Sequence, residues 1–156
     1  MQKKLLCYFL LSIGLLIQGH AMAFSKTYYL FSEVKGAVFL NGKPVKGAEV
    51  EQEYNWHWKK EKKSSVTKTD EQGNFHFPTV TGKSMTAGLL PHEPVIVQYL
   101  RIRYEGKEYQ GWFHTKHNYD DLGELKGRPI RLKCELTDEP GPHPEIESFG
   151  ICTAAD

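Results

Sequence analysis

Four residues within one short stretch, His114, His117, Asp120 and Asp121, carry the side-chain types that hold a divalent metal, two imidazoles and two carboxylates. Their spacing is loose, and no second histidine pair supports them. The same residues equally suit a polar loop in which Asp and Asn make turn hydrogen bonds, so no metal ligand is assigned. His92 and Glu93 form the other acid–base juxtaposition. Pro91 and Pro94 bias that stretch toward extended backbone, where adjacent side chains point apart and do not make a dyad. The chain has no Gly-x-Ser-x-Gly elbow and no glycine-rich phosphate loop. The expectation is a non-enzymatic protein with no catalytic residue and no cofactor.

The segment Glu53-Tyr54-Asn55-Trp56-His57-Trp58-Lys59-Lys60-Glu61-Lys62-Lys63 invites a stacking role on a base or sugar. Its parity argues otherwise. Ala48, Val50, Tyr54, Trp56 and Trp58 fall on one face of an extended chain, with Gln52 the only polar member. Glu49, Glu51, Glu53, Asn55 and His57 fall on the other. A strand over 48–58 with its aromatics toward a core follows, leaving Lys59, Lys60, Lys62 and Lys63 at a hairpin tip. That tip reads either as a solvated turn or as an electrostatic contact for an acidic protein surface.

The elements that must position these residues repeat the same period. Ile130, Leu132, Cys134 and Leu136 alternate with Arg131, Lys133 and Glu135, and Phe75 and Phe77 make a shorter example. Turn residues separate the runs: Asn41-Gly42, Asp70-Glu71-Gln72-Gly73 and Glu105-Gly106-Lys107. Strands near 34–40, 48–58, 64–69, 74–78, 95–104, 108–114 and 129–136 give about seven, the number expected of an Ig-like sandwich, and no long amphipathic helix is evident. The fold class is all-β, a single sandwich over residues 24–137. Residues 138–156 form a tail rich in proline and glycine near Pro140-Gly141-Pro142.

Lys3 and Lys4, the apolar run 5–17 and the triplet Ala21-Met22-Ala23 have the order of a secretory signal peptide over residues 1–23. The run is shorter than the roughly 20 apolar residues of a spanning helix, so no stable membrane insertion is expected after cleavage. The expected location is the periplasm, or outside the cell. The chain carries 20 basic and 19 acidic residues; without the two signal lysines the count is 18 against 19, which gives no basis for nucleic-acid binding. Cys7 leaves with the signal. Cys134 and Cys152 remain as an even pair in an oxidising compartment, and a disulfide is the simplest pairing, two free thiols being the alternative.

Gly36-Ala37-Val38, Asn41-Gly42-Lys43-Pro44-Val45-Lys46-Gly47-Ala48-Glu49-Val50 and Thr69-Asp70-Glu71-Gln72-Gly73-Asn74-Phe75-His76-Phe77 resemble the opening half of the transthyretin-like, carboxypeptidase-regulatory-like β-sandwich. Leu90 to Ile96, Asn118-Tyr119, Gly123-Glu124-Leu125 and Cys134-Glu135-Leu136 resemble an uncharacterised family of small exported bacterial proteins. Some exported sandwiches of this size neutralise antibacterial toxins in the periplasm, often beside a type VI secretion effector. The resemblance thus implies a protein partner, a toxin or effector, and an immunity role. An envelope- or carbohydrate-associated accessory module is the alternative.

Binding residues of a sandwich sit on its loops. Three regions qualify: the lysine tip, the 79–94 connection, and Trp112 to Asp121. The named candidates for partner contact are Lys59, Lys60, Lys62, Lys63, Trp112, His114, His117, Tyr119, Asp120 and Asp121. For Trp112 and Tyr119, packing in the core is the competing reading.

Overall fold

Each predicted turn closes where its chemistry permits. In the computed structural model, which describes residues 26–155, Asn41 and Gly42 both take positive φ, as do Glu105 and Gly106. They make two-residue hairpins between Leu40 and Lys43 and between Tyr104 and Lys107. The Glu135 carboxylate accepts from the amides of Asn41 and Gly42, both at 2.8 Å. The Asp70 turn closes as the Gln72 and Asn74 amides donate to Asp70 Oδ1. Gly73 lies there at φ 77°, and a Cβ would stand 2.5 Å from the Val38 carbonyl oxygen. The signal-peptide expectation for residues 1–23 lies outside the described residues.

Thirteen strands form among the described residues, against the seven expected. They are β1 (Lys26–Phe31), β2 (Val34–Leu40), β3 (Lys43–Pro44), β4 (Glu49–Trp56), β5 (Glu61–Lys68), β6 (Asn74–Phe77), β7 (Val80–Ser84), β8 (Ile96–Tyr104), β9 (Lys107–Lys116), β10 (Ile130–Glu135), β11 (Gly141–His143), β12 (Ser148–Gly150) and β13 (Cys152–Ala154). All seven expected runs are present. The six additional strands are two to six residues long, and most of them pair at edges or ends of the sheets.

The strands make an all-β sandwich. One layer runs β11-β12-β9-β8-β4-β5. The other runs β13-β10-β2-β3, with β6 also on β2 and β10 parallel to β2. The β1–β7 pair prolongs the second layer: Val34 pairs with Phe77 and Phe31 with Val80 in the same register, before a bulge between Tyr29 and Phe31. Between the layers lie Leu30, Val34, Val38, Val50, Trp56, Ile96, Leu100, Ile102, Trp112 and Leu132, each 0 or 1% exposed. A core of this kind is the principal stabilising term of a domain this size.

Two expectations differ from the structure. The strand expected over 48–58 ends at Trp56, because Lys60 takes a left-handed conformation (φ 51°) after a 3-10 turn over His57–Lys59. Trp58 therefore leaves the core face. The segment 138–156, expected as a tail rich in proline and glycine, instead contributes strands: β11 and β12 extend the first layer, β13 pairs with β10, and Ile146 and Ile151 are buried. Its prolines lie where they do little harm, in the three-residue edge strand β11 and at the first position of a 3-10 turn. Cys134 and Cys152 face each other across β10 and β13 and are joined in a disulfide. Closing that loop removes unfolded-state freedom worth about 3 kcal/mol.

Candidate functional site

Three connections meet at one end of the sandwich: the 3-10 turn over His57–Lys59, the loop between β7 and β8, and the loop after β9. Side chains knit them together. The Trp56 indole N–H donates to the Tyr119 hydroxyl at 3.0 Å. His92 Nδ1 lies 3.0 Å from the Leu90 carbonyl, which can only accept, so Nδ1 carries the proton and Nε2 accepts from the Tyr119 hydroxyl at 2.9 Å. Burial raises the Tyr119 phenol above its ordinary value, which keeps it a donor. The Trp58 ring stacks on His92 with centroids 4.0 Å apart, and its indole N–H donates to Thr86 Oγ1 at 3.3 Å. Lys59 Nζ donates to the Lys83 carbonyl. Beneath them the Tyr28 ring packs edge-on to Tyr119, and a Cβ at Gly88 would stand 2.8 Å from the Tyr28 hydroxyl. A side chain at Gly88 would have to displace the Tyr28 hydroxyl, so glycine lets the loop lie close to it.

This end presents three large apolar side chains to solvent. Met85, Leu89 and Leu90 are 60, 78 and 56% exposed, three large hydrophobic side chains within six residues of a loop held on both flanks. Charge borders them, with Lys59 and Lys60 on one connection and the exposed His117–Glu93 pair (3.0 Å) on another. Exposed apolar clusters with polar rims are characteristic of interaction surfaces.

The loop after β9 is fixed from inside. The Lys116 and Glu124 side chains are both 0% exposed, with Nζ 3.0 Å from Oε2. Ser32 donates to the same carboxylate through its amide (2.9 Å) and hydroxyl (2.6 Å), and Gln98 Nε2 donates to Oε1 at 2.7 Å. Lys116 Nζ also donates to the Asp120 carbonyl, and the Leu122 amide donates to Ser32 Oγ. Burial alone would raise the Glu124 carboxyl; the Lys116 ammonium and the Ser32 and Gln98 donors outweigh it and hold it below the usual carboxylate range. Ser, Glu and Lys are the types of a nucleophile–base set, but Ser32 and both charged side chains have no exposed surface for a substrate to reach. The cluster is an anchor.

The residues singled out by sequence divide accordingly. Trp112, 0% exposed, and His114, 7% exposed, are not surface contacts. Gly111 is the extra residue of a bulge on β9, opposite the Leu100–Arg101 step of β8, and it resets the register so that Trp112, His114 and Lys116 all point inward. His114 Nδ1 pairs with the Glu147 carbonyl and His117 with Glu93, so His114, His117, Asp120 and Asp121 do not converge. Among the described residues no three His, Cys, Asp or Glu side chains form a metal-ligand group. His92 and Glu93 do point apart, toward Tyr119 and His117. The lysines do not form one tip: Lys59 and Lys60 lie in the turn, whereas Lys62 and Lys63 lie on β5 and pair with Glu53 and Glu61. Tyr119 is half-buried within the aromatic cluster, and Asp120 and Asp121 are exposed. Leu89, Leu90 and His92 lie in the 79–94 connection, which the sequence marked as a binding region without naming residues in it; Trp58 lay outside the three regions.

A family model described as Domain of unknown function (DUF6795) matches residues 34–139. The chain belongs to this family. No curated protein and no solved structure matches it. The matched span carries all three connections and Glu124, while Ser32, which completes the carboxylate's donor set, and Cys152, which closes the disulfide, lie outside it.

The anchor makes stability depend on acid in a definite direction. Because folding lowers the Glu124 pKa, its contribution is complete above the unfolded value near 4.3 and is lost as pH falls through the lower folded value. Lys116→Met removes the strongest charge partner and leaves burial to raise the carboxyl, so it should cost about 3–5 kcal/mol at neutral pH, a loss that shrinks as falling pH protonates Glu124. Urea denaturation of both chains across pH 3–8 checks this, and a loss that stays the same at every pH would count against the anchor.

Proposed function

We propose that this chain is an exported, non-catalytic binding module whose partner is another protein, docked at the end of the sandwich where the three connections meet. The observation that carries the reading is the exposure of Met85, Leu89 and Leu90 on a loop fastened by the Trp58–His92 stack and by Gly88. A pre-ordered apolar patch loses little conformational entropy on docking, and its charged rim discriminates among partners. The resemblance to small exported bacterial sandwiches supplies the partner class. In this reading the chain is a periplasmic immunity protein, of the transthyretin-like type, that occludes a toxin delivered by type VI secretion. The disulfide is in keeping with an oxidising compartment.

The test is protection against, and binding to, each effector encoded beside the chain's gene. Leu89→Asp with Leu90→Asp should weaken that binding about 100-fold while leaving the melting temperature within the range of ordinary surface changes, since both side chains are exposed. Unaltered affinity, or failure to protect against every adjacent effector, would sink the reading.

One observation favours the envelope-associated alternative. Tyr99, Phe113 and Phe149 sit directly opposite one another on β8, β9 and β12, which places the three rings in a row on one face of the sheet. Arg101 lies 4.7 Å over Tyr99, and Phe149 is 40% exposed. Such a row is a platform for the apolar faces of sugars. A glycan array carrying envelope polysaccharides should show binding that is abolished by Phe149→Ala; no hits would remove this second reading.

A further inference from the structure

β5 ends the six-stranded layer, and among the described residues no strand is hydrogen-bonded to its outer edge, although Lys63–Ser65 share a groove with Val80 and Thr81 of β7. It pairs with β4 over all eight residues without a register break, and it contains no proline. Natural sheets usually blunt such an edge with charged side chains, lysine above all, and β5 relies on those alone; the other devices are a bulge, a proline or a very short strand. The opposite edge of this same layer is blunted in that way, by the three-residue β11 with Pro142 at its centre. On β5 the five consecutive residues Lys62 to Val66 are exposed, and so is Lys68.

The free edge is basic. Lys62, Ser64, Val66 and Lys68 alternate on the solvent side of the sheet, because the intervening Lys63, Ser65 and Thr67 oppose the inward Tyr54, Gln52 and Val50 of β4. Val66 is 53% exposed, with Ser64 and Lys68 as its neighbours on the same face. Lys68 has no ion pair among the described residues. The partners of Lys62 and Lys63, Glu53 and Glu61, lie within the chain, and both lysine side chains remain more than half exposed. A second copy pairing antiparallel through the same edge, centred on Ser65, would set Lys62 against Lys68 twice, and like charges directly opposite are destabilising. A strand with acidic side chains at the positions facing Lys62 and Lys68, and an apolar one facing Val66, meets complementary charge at both ends.

We propose that β5 is a docking edge for an extended acidic segment of a partner protein, which adds to the layer as a seventh strand. Main-chain hydrogen bonds supply the affinity, and the lysines that repel most other strands supply the selection. The proposal rests on the binding-module reading for its class of partner only; it uses a surface distinct from Leu89 and Leu90, so the two fail separately.

The test uses a synthetic nonapeptide of alternating Glu and Thr with Val at its centre, a second with Lys in place of Glu, and a third, the acidic peptide N-methylated at alternate amides. Fluorescence anisotropy reads affinity, and amide hydrogen exchange reads the site on the full disulfide-bonded chain. The acidic peptide should protect amides of Glu61–Lys68. The N-methylated peptide, with equal charge but no ladder, should bind at least about tenfold more weakly. Lys62→Glu with Lys68→Glu, both at exposed positions, should reverse the preference toward the lysine peptide. Equal binding of the N-methylated peptide, protection confined to other segments, or no protection of β5 at millimolar acidic peptide would each overturn the proposal. Protection of β5 by the acidic peptide in a chain that also carries Leu89→Asp would separate this edge from the loop-borne surface.

Discussion

A carboxylate with no exposed surface joins the two layers of this sandwich to the loops at its end. Glu124 receives donors from Ser32 at the break between β1 and β2, from Gln98 on β8 and from Lys116 at the close of β9. Withdrawing a carboxylate and an ammonium from water costs several kcal/mol per ion, and the site is tolerable only because charge-assisted bonds replace the lost hydration. Those bonds have fixed directions. They determine where the chain from His117 to Leu125 runs, and with it the position of Tyr119, whose hydroxyl links Trp56 to His92. The order of the outer loops thus follows from a polar contact within the core.

The fold was legible wherever a strand carries its own alternating pattern. All seven runs read from period two are strands, and the Asn41-Gly42 and Glu105-Gly106 turns close hairpins. The remaining strands do not carry that signal. β3, β11, β12 and β13 are two or three residues long and take their geometry from the strand they join, which no local pattern encodes. Parity also misleads across irregularities. It was extended past the end of β4 at Trp56, into the 3-10 turn, to Trp58, and across Gly111 no simple alternation indicates that Trp112, His114 and Lys116 share the inner face.

The recognition end was less legible for a related reason. Sequence drew attention to histidines, lysines and aromatics, whereas burial distributes their roles. Trp112 and His114 belong to the interior, while Leu89 and Leu90, apolar residues that would ordinarily be taken for core, stand exposed. Glu124 sits between Gly123 and Leu125 in what reads as a turn, and nothing local marks it as buried. One signal was available: Gln98 interrupts the inward series Ile96, Leu100, Ile102, as Gln52 interrupts Val50 and Tyr54. A polar residue on a buried face requires a partner, and in Gln98 that requirement leads to Glu124.

If the buried carboxylate positions the surface loops, weakening it should release them before it releases the sheets. Native-state hydrogen exchange comparing the wild-type chain with Glu124→Gln measures this directly. The account predicts faster exchange in 117–123 and 85–92, with the amides of β4 and β8 retaining their relative protection. Unchanged exchange in both loops, or a uniform loss across β4 and β8 with no additional opening at the loops, would contradict it.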